Sequence, residues 1–425
     1  MVQTLLWIIL GILIFDFVLE STLNYLNASH LSEKLPDKLR GIYDEEKYKR
    51  SQKYFKVNQK FDFLTSTLSF LVLLAMIYFG GFAFIDKIAR SFTDNPILVA
   101  LIFFGILGLA SDILTTPFQL YSTFVIEDRF GFNKTTPKTF ILDKLKGWLL
   151  GAVIGGGLLS LIIWLYHSTG DWFWILAFIV LVSFSGLMTM FYASVILPLF
   201  NKLTPLEEGE LRQQIEKLAD RVGFDLKDIY VMDGSKRSSK ANAFFSGLGS
   251  KKKIVLFDTL ISDHTTDELV AILAHEIGHY KKKHTRINFG LAIIQTAIML
   301  SVLSIFLDQD TQWPRYLANA LGAKEPGFHL GILAFGILYT PLSMILGIAM
   351  NVVSRHFEYS ADRFAVQNYG ASPLQEALKR LSVKHLSNLS PHPAYVFVYY
   401  SHPPLLNRLE AMETAENPEN RFRAK

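Results

Sequence analysis

Hydrophobic and polar residues separate along this chain into long blocks instead of alternating on a short scale. Seven apolar runs stand out, at about residues 5–26, 63–85, 96–121, 148–166, 172–199, 287–307 and 330–353. Each is long enough for a helix to cross the hydrocarbon core of a bilayer, which takes about 20 residues. The first run has no basic stretch before it and no small-residue cleavage site after it, so it reads as a retained span and not a signal peptide. The pattern predicts an α-helical polytopic membrane protein with seven transmembrane helices.

Between residues 201 and 286 the pattern changes. Residues 206–222 are charged and amphipathic, as in a surface helix. Residues 228–232 and 253–258 are β-branched runs bounded by turn formers, which predicts two short strands. A helix start follows at Thr265-Thr-Asp-Glu268, a capping box in which hydroxyl and carboxylate satisfy the first free N–H groups. Leu269, Ile272, Leu273 and Ile277 then fall at three- and four-residue spacings and make one apolar stripe. The chain is expected to divide at 1–200 (five spans), 201–286 (an inserted domain of helices and a small sheet), 287–353 (two spans) and 354–425 (a C-terminal part).

Charge orients this scheme. The loop after span one carries nine Lys and Arg between Lys34 and Lys60, Lys38 among them, and the loop after span three carries Arg129, Lys134, Lys138, Lys144 and Lys146. The insert and the tail are also basic, whereas the loops after spans two, four and six are nearly bare. By the positive-inside rule, the odd loops, the insert and the tail face the cytosol and the N-terminus faces out. The formal net charge of +4 is too modest to suggest nucleic acid as a partner. The absence of cysteine excludes disulfides, thiolate metal ligands and a cysteine nucleophile. Asp16, Glu20 and Asp112 lie within spans, where a charge is costly unless it faces protein or water, and Asp16 and Asp112 suggest a polar interior among the helices. The glycines at 147, 151, 155, 156 and 157 read as a close-packing face, since no strand precedes them to make a phosphate loop.

The capped helix contains His275-Glu276-Ile-Gly-His279. Positions i and i+4 share a helix face, so His275 and His279 can hold one zinc ion. Glu276 is then placed to act as a base on water at the metal instead of binding it. Two incidental histidines on a solvated face are the bland alternative, and the apolar, capped context argues against it. Such a site needs a third protein ligand. Glu358 in Ser354-Arg-His356-Phe-Glu358-Tyr-Ser-Ala-Asp362 can supply it, and Asp362, one turn later, can accept a hydrogen bond from a ligand imidazole. His356 is a rival ligand on a different helix face. The stretch Asn242, Ala243, Phe244, Phe245 lies between the predicted strands and can offer an edge to an extended peptide substrate. In Ser401-His402-Pro-Pro-Leu-Leu-Asn-Arg408, paired prolines fix a rigid entry that could aim His402 or Arg408 at an oxyanion. Lys281–Lys283 and His284 read as a solvated helix end near lipid head groups.

With these motifs assembled, the chain resembles the zinc-dependent CAAX prenyl protease 1 (a-factor-converting) family of integral-membrane proteases. The resemblance covers most of the chain: seven spans, H-E-x-x-H between spans five and six, S-R-x-x-E-x-x-A-D, H-P-P-x-x-x-R, N-A-F-F-x-G ending at Gly247, and the Gly41-Ile-Tyr-Asp-Glu-Glu-Lys loop. It implies a helical ring enclosing a water-filled chamber, with a gluzincin-type protease domain at its cytosolic end. It also implies one Zn2+ per chain on His275, His279 and Glu358, with Glu276 as base, His402 as transition-state donor, and Asp362 and Arg408 behind the ligands. The implied reaction removes the three residues after a prenylated cysteine, in some members with a second cut upstream. Partners would be prenylated or membrane-associated peptides and the bilayer, with the chain a monomer. The membrane would be the endoplasmic reticulum in a eukaryote or the inner membrane in a bacterium. Two other readings share the sequence features: a quality-control membrane protease with no prenyl requirement, and a non-catalytic channel or scaffold.

Overall fold

The computed structural model describes residues 1–31, 34–35, 40–225, 229–246 and 253–416; Lys38, Asp228 and Gly247 lie outside them. The N-terminal part runs α1 (Val2–Ser29), α2 (Glu45–Tyr78), α3 (Gly81–Phe92), α4 (Pro96–Glu127), α5 (Pro137–Ser168) and α6 (Gly170–Phe200). Local chemistry sets the starts. Asp44 accepts the Lys47 N–H at 2.7 Å, and Asn95 accepts the N–H groups of Ile97 and Leu98 at 2.9 and 3.3 Å ahead of Pro96 at the first helical position. The insert follows: β1 (Leu203–Pro205), α7 (Glu210–Arg221), β2 (Ile229–Met232), β3 (Ala243–Ser246), β4 (Lys253–Phe257), α8 (Asp258–Asp263) and α9 (Thr266–Lys281). Then come α10 (His284–Leu307), α11 (Trp313–Ala320), α12 (Phe328–Tyr369), α13 (Ala371–Lys384), α14 (Pro393–Tyr399) and α15 (Leu405–Glu416).

Among the described residues seven helices are long and apolar enough to cross a membrane: α1, α2, α4, α5, α6, α10 and α12. They make a ring. Direct packing joins α1 to α2, α4 to α5, α5 to α6, α6 to α10, α10 to α12 and α12 back to α1, while α3 bridges α2 and α4. Only 6 to 17% of the most apolar stretch of each span is buried, so little of each span packs against protein and the spans do not form a solid bundle. The end of the ring away from the insert is closed. There Ile9, Ala89, Phe103, Leu317, Leu321 and Leu330 are wholly buried together. His329 Nε2 of α12 meets Asp86 Oδ1 of α3 at 2.7 Å, and Arg90 Nε donates to the same carboxylate at 2.9 Å.

The sheet has the order β1-β2-β4-β3, with β2 and β4 parallel, the other pairs antiparallel, and β3 at an edge. It packs with α7, α8 and α9 around wholly or nearly wholly buried Ile215, Leu218, Ile254, Leu256, Leu260 and Leu273. Buried apolar side chains each stabilise such a core by about 1.5–3 kcal/mol. The insert is fastened to the membrane part by Arg237, whose Nε and Nη2 donate to Asp143 at 2.8 and 2.9 Å, and by Lys240, whose Nζ lies 2.9 Å from Glu127.

One expectation about the spans needs correction. The second span ends at Tyr78, not at 85, because Gly80 takes a left-handed conformation (φ +68°) that stops the helix. Residues 81–92 then form the separate amphipathic α3, whose buried face caps the ring. The stretch between α10 and α12 contains a further helix, α11, packed into the same cap. Asp112 makes a polar contact between spans: Lys144 Nζ of α5 donates to it at 2.6 and 2.7 Å and to Thr116 at 2.7 Å.

Candidate metal centre

Two helices build the site. α9 begins as its sequence predicts, with Thr265 Oγ1 accepting the Glu268 N–H at 3.3 Å and Glu268 accepting the Thr265 N–H at 2.9 Å. Its apolar stripe seats it in the core of the insert, which turns His275 and His279 toward α12. The 42-residue α12 would be about 63 Å long at 1.5 Å per residue, roughly twice the hydrocarbon thickness. Its last turns therefore continue past the ring and carry Glu358 and Asp362 to α9.

The ligand atoms converge. His275 Nε2 lies 3.1 Å from His279 Nε2 and 3.4 Å from Glu358 Oε2, and His279 Nε2 lies 3.3 Å from Glu358 Oε1. A tetrahedral ion with bonds of about 2.0–2.1 Å spaces its ligands about 3.3 Å apart. Glu358 Oε2 is buried and no hydrogen-bond donor satisfies it, as for an oxygen waiting on a cation. Two imidazoles and one carboxylate are a donor set that suits zinc. Among the described residues this is the one His/Asp/Glu group close enough to hold an ion.

The surrounding residues hold the candidate ligands. His275 Nδ1 donates to Asp362 Oδ1 at 2.7 Å, which leaves Nε2 as the free face. Arg408 donates to both Asp362 oxygens, at 2.8 and 2.6 Å, and its other nitrogen is 3.5 Å from Glu358 Oε2. Burial by itself would depress the His275 pKa, but the Asp362 and Glu358 contacts outweigh it and raise it to about 9. Burial raises the Glu276 carboxyl above its ordinary range, against the pull of His275 and His279.

The other sequence-identified residues arrive with different standing. His402 comes to the site: Nε2 is 3.3 Å from Glu358 Oε1, and its side chain stays 63% exposed and free to meet a bound molecule. Arg408 faces Asp362 and Glu358 from behind the ligands and is buried. His356 is exposed and takes no part in the cluster. Asn242 is exposed and leads into edge strand β3, which begins at Ala243. Phe244 and Phe245 point to opposite faces of the sheet, one against Phe257 and the other against Phe224, so their rings belong to cores and only the strand backbone offers an edge.

Sequence reasoning misplaced or missed two residues. His284 is buried, not solvated, with Nδ1 3.0 Å from His279 Nδ1. Gly278 lies where a Cβ would come within 3.1 Å of the Ala361 backbone, so its lack of a side chain sets how closely α9 and α12 approach. A glycine inside an otherwise well-formed helix was the available signal for it.

Comparison with known proteins agrees with this architecture. Residues 24–202 match the family profile described as CAAX prenyl protease N-terminal, five membrane helices, and residues 205–416 match Peptidase family M48. The chain is 36% identical to CAAX prenyl protease 1 of Saccharomyces cerevisiae, over 96% of this chain and 94% of that one. It is 35% identical to a CAAX prenyl protease 1 homolog of Arabidopsis thaliana, over 95% and 96%. The crystal structure of S. mikatae Ste24p superposes with a TM-score of 0.88 at 35% identity, covering 96% of this chain and 98% of that one. A seven-span ring, a small mixed sheet and an H-E-x-x-H helix facing a glutamate thus coincide with relatedness along nearly the whole length: the chain belongs to the CAAX prenyl protease 1 family of M48 membrane metalloproteases.

Proposed function

We propose that this protein is a zinc endopeptidase that hydrolyses the peptide bond after a prenylated cysteine and releases the C-terminal three residues of CAAX substrates. The observation that carries the chemistry is the spacing of His275 Nε2, His279 Nε2 and Glu358 carboxylate, 3.1 to 3.4 Å apart, with Glu276 next to them in the chain. The substrate class is supported by the relatives' names and by the ring of spans, which offers a lipid-bearing peptide one protein surface spanning bilayer and water.

Zinc bound there would supply Lewis acidity, lowering the pKa of a water and polarising the scissile carbonyl. Glu276 takes a proton from the attacking water as its oxygen adds to the scissile carbonyl carbon, and returns that proton to the amine as the C–N bond breaks, so no acyl-enzyme forms. Asp362 fixes the His275 tautomer, and Arg408 holds Asp362 ionised. His402, beside Glu358 and exposed, donates to the oxyanion that develops on the carbonyl. The peptide lies extended along the β3 edge, held by main-chain hydrogen bonds from about Asn242 onward. The insert and the tail face the cytosol, since the loops joined to them carry the Lys and Arg.

The test is hydrolysis of a prenylated C-a-a-X peptide beside its unprenylated twin, using the purified full chain with and without chelator. Tripeptide release from the prenylated peptide alone is expected. Equal cleavage of both would keep the metalloprotease and remove the prenyl specificity; cleavage of neither would overturn the reading.

A further inference from the structure

We infer that His284 is a positioning residue for the metal ligand His279, set by the junction between the protease domain and the sixth span. The inference rests on the zinc reading above and concerns how that site is held.

The two ligand histidines are supported differently. His275 has the carboxylate of Asp362 behind it at 2.7 Å. His279 turns Nε2 toward His275 and Glu358, which leaves Nδ1 to carry its hydrogen. The partner at that nitrogen is His284, Nδ1 to Nδ1 at 3.0 Å. With Nδ1 of His279 donating, Nδ1 of His284 must accept, and its own hydrogen sits on Nε2. An acceptor there fixes both the tautomer and the ring plane of His279, as Asp362 does for His275. The ring of His284 is itself held: it is buried and lies flat on Phe357, with centroids 4.1 Å apart and planes 8° from parallel. Phe357 immediately precedes Glu358. One side chain therefore braces a ligand on α9 and packs on the residue next to the ligand on α12.

The backbone explains why His284 can do this. Residues five apart on one helix do not face each other. Here α9 ends at Lys281 and α10 begins at His284, with Lys283 between them in the left-handed region (φ +61°), which a side chain other than glycine rarely adopts. That turn sends the chain back over the last turn of α9 and sets the first residue of span six against His279. The orientation of a zinc ligand is thereby tied to the seating of a membrane helix.

The experiment compares zinc affinity by chelator competition in the purified full chain and in His284→Ala, His284→Phe and His284→Asn, with thermal unfolding to confirm that each folds. Ala and Phe are expected to weaken zinc about 10- to 100-fold, because neither accepts the His279 hydrogen. Asn, whose amide oxygen can accept near the Nδ1 position, is expected to recover most of the loss. The visible spectrum of the cobalt-substituted protein is expected to change in Ala and Phe and to return in Asn. Wild-type zinc affinity in folded His284→Phe, which keeps a flat ring on Phe357 without the acceptor, would show that His284 only packs and would overturn the inference. Failure of the wild-type chain to retain zinc would overturn the metal site itself, and this inference with it.

Discussion

Gly278 of α9 and Ala361 of α12 meet backbone to backbone: a Cβ on Gly278 would lie 3.1 Å from both the Cα and the carbonyl oxygen of Ala361. No flexible side-chain end can yield at that contact, and Ala361 is wholly buried. Gly278→Ala is therefore expected to push the two helices apart by a few tenths of an ångström and to cost about 1–3 kcal/mol of stability. Because α9 carries His275 and His279 while α12 carries Glu358, zinc affinity should fall in the same variant. Thermal unfolding and chelator competition measure the two effects. An unchanged protein would mean that the approach of the helices is not what sets the ligand spacing.

Glu276 can be separated from the ligands. Glu276→Gln keeps the shape of the side chain and removes its capacity to take a proton. Zinc content should stay at one per chain, while kcat should fall by about 10²–10⁴. Appreciable turnover in a metal-replete variant would sink the role of Glu276 as base.

The pair behind His275 should divide metal binding from stability. Asp362→Ala removes the acceptor at 2.7 Å from His275 Nδ1 and should weaken zinc about 10- to 100-fold. Arg408→Ala leaves the buried Asp362 carboxylate without its two-pronged cation, a defect that typically costs about 3–5 kcal/mol. Equilibrium zinc titration and unfolding midpoints report the two separately. Arg408→Ala that is fully stable would argue that Asp362 is satisfied in some other way.

Zinc uptake should depend on pH with a definite sign. In the metal-free protein the Asp362 and Glu358 contacts raise the His275 pKa to about 9, over the opposing effect of burial. Below that pH the imidazole carries a proton that zinc must displace. Affinity is therefore expected to rise with pH, about tenfold per unit between pH 7 and 9, and to level off above it. Proton release during zinc titration in weakly buffered solution measures it; a flat profile would mean that His275 is already neutral.

Much of this architecture was legible without coordinates. Bilayer thickness sets a minimum apolar length for every spanning helix, so apolar run length alone points to seven spans. The α9 start was readable because a capping box is a contact between neighbours in sequence. Span two was overextended because apolar composition continues through Phe79-Gly-Gly-Phe82, and only the positive φ at Gly80 marks the stop. His284 was misread because it follows three lysines, and composition around a residue says nothing about a chain that folds back one turn later.

The division between sequence and fold is a division between local and distant physics. Helix periodicity, capping and hydrophobic length act over a few residues, so the sequence by itself determined the spans and the paired histidines of one helix face, and it offered Glu358 as a candidate partner through the motif around it. Whether those groups meet depends on residues about 80 positions apart reaching one point within a few tenths of an ångström. Helix α12 running on past the ring, Gly278 lying against Ala361, and the turn at Lys283 settle that together. The aim of Arg408 at Asp362 and of His284 at His279 was decided there as well, because a side chain's partner is set by which surfaces the packed helices bring face to face.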